Sequence, residues 1–244
     1  MGANGAGRQG RRPTAGGLGP TFPGAHPAAI LPPMLLDLST LSPGRAYRFL
    51  ISAIVPRPIA FVSTVSPDGA RNLAPFSYFM GVGSKPPTLA ISILKRDGRL
   101  KDTARNILET GEFVVNAATE ELAARVTLAS GDYAADVDEF ALTGLTPAPC
   151  ERVRAPRVAE SPVSLECRLY RSFEIGEPPL DVALIVGEVL VAHVRDELWA
   201  DGMVQADKLR PIGRLGANLY APLGEIFAID RPRADAEGRP VKAE

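Results

Sequence analysis

The stretch spanning residues 59–80 constrains the fold more than any other part of the chain. Residues 59–65 are rich in β-branched and aromatic side chains, Ser66-Pro67-Asp68-Gly69 supplies a turn, and residues 72–80 read as the returning strand. A hairpin of this kind is marginal alone and needs further strands or a helix over its apolar face. The chain supplies both. Residues 89–94, 113–117, 163–173 and 183–194 read as strands, with 227–229 as a short final one.

Helical patterns are fewer. Leu100, Ala104, Ile107 and Leu108 recur at helical spacing, with Asp102 or Thr103 as the expected N-cap and Gly111 as the stop. Thr119 caps a second expected helix that carries Glu120 and Glu121 in its first turn and turns Leu122 and Val126 inward. A third covers residues 207–209 and ends at Pro211. Many strands with few interspersed helices predict a mainly β fold, a barrel with peripheral helices and not a parallel sheet.

At 244 residues the chain can bury one substantial core, and its 45% apolar and 23% charged content is that of a globular protein. A net charge of −1 gives no global field for nucleic acid or an anionic membrane, so any anion site must be local. No apolar run approaches the length of a spanning helix. Residues 1–33 are dominated by Gly, Ala and Pro and read as a flexible extension without a secretory signal, although residues 28–31 offer an apolar docking segment. The folded domain is expected over 34–232 and a loose tail over 233–244. Cys150 and Cys167 read as reduced thiols, which fits a cytoplasmic protein. With His26 and His193 they match no usual zinc spacing, so no metal site is expected. Neither GxGxxG nor GxxxxGK[ST] occurs, so a nucleotide or flavin must bind by another route.

Two segments carry candidate chemistry. Pro75 cannot donate to a β-ladder, so its strand is interrupted or lies at an edge. Free backbone groups there suit either a flat heteroaromatic ring or nothing more than protection against edge pairing. Residues 92–103 hold Lys95, Arg96, Arg99 and Lys101 with Thr103 at a helix start, which suits a phosphate or a solvated basic turn. His193 ends an apolar run and either bonds to backbone or faces a ligand.

Taken in order, Pro56-Arg57-Pro58-Ile59-Ala60-Phe61-Val62-Ser63-Thr64, Asn72-Leu73-Ala74-Pro75-Phe76-Ser77 and Lys101-Asp102-Thr103-Ala104-Arg105-Asn106-Ile107 resemble the flavin reductase-like family. Gly111-Glu112-Phe113-Val114-Val115-Asn116, Val137-Asp138-Glu139-Phe140, Gly187-Glu188-Val189 and Arg214-Leu215-Gly216 extend the resemblance. It implies an FMN-binding split β-barrel of Greek-key type, with FMN held at a homodimer interface. It implies that Ser63, Thr64, Lys101 and Thr103 contact the phosphate and ribityl chain, and that Asn72, Leu73, Ala74 and Ser77 contact the isoalloxazine, mostly through backbone. Ser92 lies nearby, Lys95 and Arg96 are further phosphate candidates, Tyr220 covers the ring or packs, and His193 is the candidate catalytic group beside the flavin. The implied activity is that of an FMN-dependent oxidoreductase of the NAD(P)H:flavin reductase type. The alternative is an electron carrier or a flavin-binding module without turnover. FAD is the alternative cofactor, NADH or NADPH the donor, and a monooxygenase or other acceptor the partner.

Overall fold

The computed structural model describes residues 34–236 and 238–241. The expected extension over 1–33, including its apolar segment, lies outside the described residues. Residues 34–40 belong to a separate small unit in which Asp37 caps a single turn, Leu38–Thr40, by accepting from the Ser39 N–H at 2.9 Å. The main unit starts at Leu41.

Seven strands build its sheet: β1 (Ala60–Val65), β2 (Arg71–Phe76), β3 (Phe79–Ser84), β4 (Pro87–Leu94), β5 (Glu112–Ala117), then β8 (Val163–Ile175) and β9 (Val182–Val194). Between β5 and β8 lie two-residue strands β6 (Pro147–Ala148) and β7 (Arg157–Val158), which pair with each other. The sheet order is β2-β1-β5-β8-β9-β4-β3, with every neighbouring pair antiparallel.

This order dictates a rolled sheet. β2 and β3 are the two edges, yet only Ser77 and Tyr78 separate them in sequence. Laid flat, six strand spacings would hold these edges about 29 Å apart. The link from Phe76 to Phe79 reaches at most about 11 Å. The sheet must therefore curl until its edges approach each other without joining. The expected single strand over 72–80 is thus two strands on opposite sides of a seam. Pro75 lies within β2, which is an edge strand and is not interrupted there.

Residues alternate between the two faces of the curled sheet. Val62, Ile91, Ile93, Phe113 and Ile185 fill the inside, where α2 (Asp102–Thr110) adds Ala104 and Ile107. The neighbouring Phe61 points outward with Leu73 into a second core. Leu122, Val126 of α3 (Ala123–Leu128) and Phe140 of α4 (Glu139–Thr143) cover that face. Gly187 of β9 is required by this packing, since a Cβ there would lie 2.3 Å from the Phe113 ring. Gly187→Ala is expected to destabilise the domain by about 1–3 kcal/mol, read as a lower denaturant midpoint with unchanged m-value.

Helix ends differ from expectation in instructive ways. Lys101 is the N-cap of α2 and makes no side-chain cap bond, which leaves Thr103 inside the first turn, while Gly111 stops the helix in the left-handed region at φ 75° as expected. Leu108, expected on the apolar face, is 39% exposed, whereas Asn106 is buried. Thr119 precedes a 3₁₀ turn, Glu120–Leu122, that leads into α3. α1 (Pro43–Ala53) and α4 were not foreseen, the first because none of its residues is buried and its apolar spacing has no core to report on. After β9 come β10 (Trp199–Ala200), β11 (Met203–Val204), α5 (Ala206–Leu209), β12 (Ile212–Arg214) and β13 (Tyr220–Pro222). Residues 227–229 form no strand, and the expected loose tail holds a small pair, β14 (Arg233–Ala234) and β15 (Pro240–Val241). Among the described residues no helix is long and apolar enough to cross a membrane.

Candidate functional site

Thr64 faces the barrel side of β1 and Asn72 stands directly opposite it on β2. Asn72 Nδ2 donates to Thr64 Oγ1 at 3.2 Å and to Thr103 Oγ1 at 2.8 Å, and Asn106 Nδ2 donates to Thr64 Oγ1 at 3.0 Å. Thr103 and Asn106 are three positions apart on α2, so one helix face presents both. All four side chains are buried. The cluster locks the start of α2 to the edge of the sheet, and Asn106 Oδ1 remains a buried acceptor without a partner among the described residues.

A cleft of about 620 Å³ opens beside this cluster, in the size range of small-molecule sites. Asn72, Ala74 and Phe76 form one wall, the turn from Arg96 to Thr103 another, and Ser130 to Tyr133 the mouth. The first-turn N–H groups of α2 are free of any side-chain cap, which leaves them available to an anion. Arg96 and Lys101 already close on an anion, the Asp132 carboxylate, at 3.3 and 3.9 Å.

The outer edge of β2 has a different character. The Leu73 N–H points away from β1 and donates to Glu139 Oε2 at 3.0 Å. By alternation Pro75 is the next position facing that way, and it carries no N–H. Glu139 is 7% exposed and also lines the cleft. Burial raises its carboxyl above the ordinary value, and the Leu73 N–H opposes that only in part. Asp138 holds Glu139 in place by N-capping α4, with its Oδ1 accepting from the Phe140 N–H at 2.9 Å.

Of the residues singled out from sequence, the fold brings Thr64, Asn72, Ala74, Arg96, Lys101 and Thr103 to this cleft or its supporting cluster. Leu73 contributes its backbone, while its side chain is in the outer core. Others stand elsewhere. Ser63 projects to the opposite face of β1, where it donates to the Pro156 carbonyl at 2.5 Å and accepts from Asn116 at 3.2 Å. Lys95 turns to Asp181 and Glu174, at 2.7 and 2.8 Å. Ser77 accepts from Arg57 at 3.3 Å, and the Ser92 N–H donates to the Tyr78 carbonyl at 2.9 Å, both at the bend between β2 and β3. Tyr220 lies under the Arg214 guanidinium at 4.3 Å and accepts from Thr127. His193 is bonded to the buried Glu166 at 2.6 Å, on the face that Ser63 and not Thr64 occupies.

Sequence reasoning passed over Asn106, Asp132, Tyr133 and Glu139 as site residues. Helical spacing from Thr103 was the signal for Asn106. Glu139 stood in a quoted motif, but only the fold shows that its carboxylate reaches an edge strand.

The family model for the flavin reductase like domain matches residues 52–212, the span that contains both β1–β2 and α2. The chain belongs to the flavin reductase-like family. The uncharacterized protein BH2278 of Halalkalibacterium halodurans is 42% identical over 204 residues, covering 82% of this chain and 97% of that one. The solved nitrilotriacetate monooxygenase component B of Bacillus cereus is 34% identical with a TM-score of 0.78, covering 80% of this chain and 98% of that one. The 2-nitrobenzoate 2-nitroreductase NbaA of Pseudomonas fluorescens is 29% identical with a TM-score of 0.74, covering 82% and 96%. The rolled sheet with its open seam is the split barrel of FMN-binding proteins.

Proposed function

We propose that this chain binds FMN in the cleft beside Asn72 and Thr103 and works as an NAD(P)H-dependent flavin reductase. The observation that carries the reading is the junction of Thr64, Asn72, Asn106 and Thr103 at an uncapped helix start, with Arg96 and Lys101 across the opening. The donor set fits a phosphate: main-chain N–H groups, a hydroxyl and two cations that already share a carboxylate. The wall formed by Ala74, Pro75 and Phe76 fits a flat ring, because it presents small and apolar surface along an edge strand.

In this reading the chain's work is positional. Thr103, Lys101 and the N-terminal N–H groups of α2 hold the phosphate, Arg96 exchanges Asp132 for it, and β2 sets the plane of the ring. Bound flavin itself supplies the two-electron chemistry that links NADH or NADPH to an acceptor. Glu139, and not His193, is the buried titratable group at the cleft, so any proton the chain holds near the ring sits there. The relation to a monooxygenase component supports a partner oxygenase as the acceptor.

We further propose that a second copy of the chain completes the site. Tyr47 and Leu50 of α1, Ile54 at its C-cap, and Leu219, Leu223 and Ile226 near the C-terminus are each 38–62% exposed. Apolar exposure on this scale marks a contact surface.

Anaerobic mixing of the flavin-loaded protein with NADH and with NADPH tests the activity. Rapid bleaching of the flavin absorbance is expected with at least one of them. Flavin that stays bound and oxidised with both would favour an electron carrier or flavin-binding module. Protein that holds no flavin after FMN addition and desalting would remove the reading.

A further inference from the structure

The face of the sheet that carries Ser63 holds a second cluster, remote in sequence from the cleft residues and built from three unrelated elements. Glu166 comes from near the start of β8, and His193 from the end of β9. Cys150 comes from the segment between β6 and β7 that folds back over them. Cys150 Sγ, a Glu166 carboxylate oxygen and a His193 ring nitrogen all lie within 4.8 Å of one another. No spacing in the sequence announces this set, because strand pairing and a returning loop assemble it.

The Glu166 carboxylate is fixed before any ligand arrives. It is wholly buried, and it accepts the Glu151 N–H at 2.8 Å on one oxygen and the Arg152 N–H at 2.6 Å on the other. Those donors directly follow Cys150, so the bonds that orient the carboxylate also place the thiol. His193 Nε2 completes the arrangement at 2.6 Å from Oε1. Two main-chain N–H groups and the His193 ring converge on this carboxylate, which fixes both of its oxygens at the cluster.

We propose that Cys150, Glu166 and His193 form a divalent-cation site that takes zinc. The donor set is one thiolate, one imidazole and one carboxylate, a combination of borderline softness that suits zinc better than magnesium or calcium. Tetrahedral ligands at zinc distances stand about 3.3–3.8 Å apart. The three donor atoms already lie within 4.8 Å of one another, and the 2.6 Å Glu166–His193 contact would have to open by several tenths of an ångström to admit the ion. The charge balances as well: a thiolate and a carboxylate against one dication leave the buried site neutral. Cys150 and His193 are both partly exposed, which provides an entry path and leaves the fourth position to water. Binding releases the Cys150 thiol proton, so zinc uptake is accompanied by proton release. The bound ion ties the segment over 149–156 to β8 and β9, which makes it a structural clamp on the outer face.

The test uses the full chain, dialysed against micromolar zinc chloride, then against metal-free buffer, with metal content measured by mass spectrometry. Retention of about one zinc per chain and a raised melting midpoint are expected. Cys150→Ser and His193→Ala are each expected to retain almost none, while His26→Ala retains as much as the native chain. A native chain that retains no zinc would overturn the proposal. Zinc retained at the native level by Cys150→Ser or by His193→Ala would overturn it too. The melting curve of each variant without metal shows that it folds.

Discussion

Thr103→Val is expected to bind FMN roughly 10- to 100-fold more weakly than the native chain, and to lose about 1–3 kcal/mol of stability because the buried Asn72 amide loses one of its two acceptors. Valine keeps the shape of the side chain and its methyl contacts. It removes the hydroxyl that accepts from the Asn72 amide at 2.8 Å and also borders the cleft. A hydrogen bond to a charged group contributes about 1.5–3 kcal/mol, which sets the size of the loss. Ser63→Ala provides the contrast. Ser63 lies on the opposite face of β1 and bonds to Pro156 and Asn116, so its loss is expected to lower stability while leaving FMN affinity within about twofold. Fluorescence quenching of FMN titrated with each variant reads both effects. Equal weakening by the two substitutions would place the phosphate elsewhere.

The largest effect on stability is expected from Arg57→Ala. Arg57 is 4% exposed and acts as a clamp between distant segments. Its Nη1 donates to the Ile51 and Ile54 carbonyls at the end of α1, and its Nη2 donates to the Leu215 carbonyl at 2.9 Å. Its Nε donates to Ser77, and its backbone pairs with Arg214 in both directions, at 2.9 and 2.8 Å. Alanine would leave these partly buried acceptors without the guanidinium at a cost of about 3–5 kcal/mol in total. For a domain of this length that lowers the melting temperature by roughly 6–20 °C. Lysine keeps the charge but not the planar fork, so Arg57→Lys should fall between the two. Calorimetry of the three proteins checks the order. An Arg57→Ala protein as stable as the native chain would show that α1 and the β2–β3 bend do not depend on this guanidinium.

The sequence made most of the strands legible because their periodicity is local. β4, β5, β8 and β9 fall within a few residues of their expected bounds. What stayed hidden was the seam. A run from Asn72 to Met80 carries no mark at Ser77-Tyr78 to say that its halves belong to opposite edges, since only closure of the barrel imposes the break. The same holds for side chains. Ser63 and Thr64 look equivalent in a list, and strand alternation separates them. Thr103 and Asn72 were legible as partners because helix start and hairpin each point to a ligand. Glu139, Asp132 and the Cys150–Glu166–His193 cluster were not, because each depends on a loop or short helix returning to a strand far away in sequence.

The account rests on a phosphate held where α2 begins. A crystal structure of the FMN complex tests this most directly. It should show the phosphate within about 2.7–3.2 Å of Thr103 Oγ1 and of a first-turn N–H of α2, with Asp132 displaced from Arg96 and Lys101. A flavin bound with its phosphate away from α2, or this cleft filled only by solvent at saturating FMN, would contradict it.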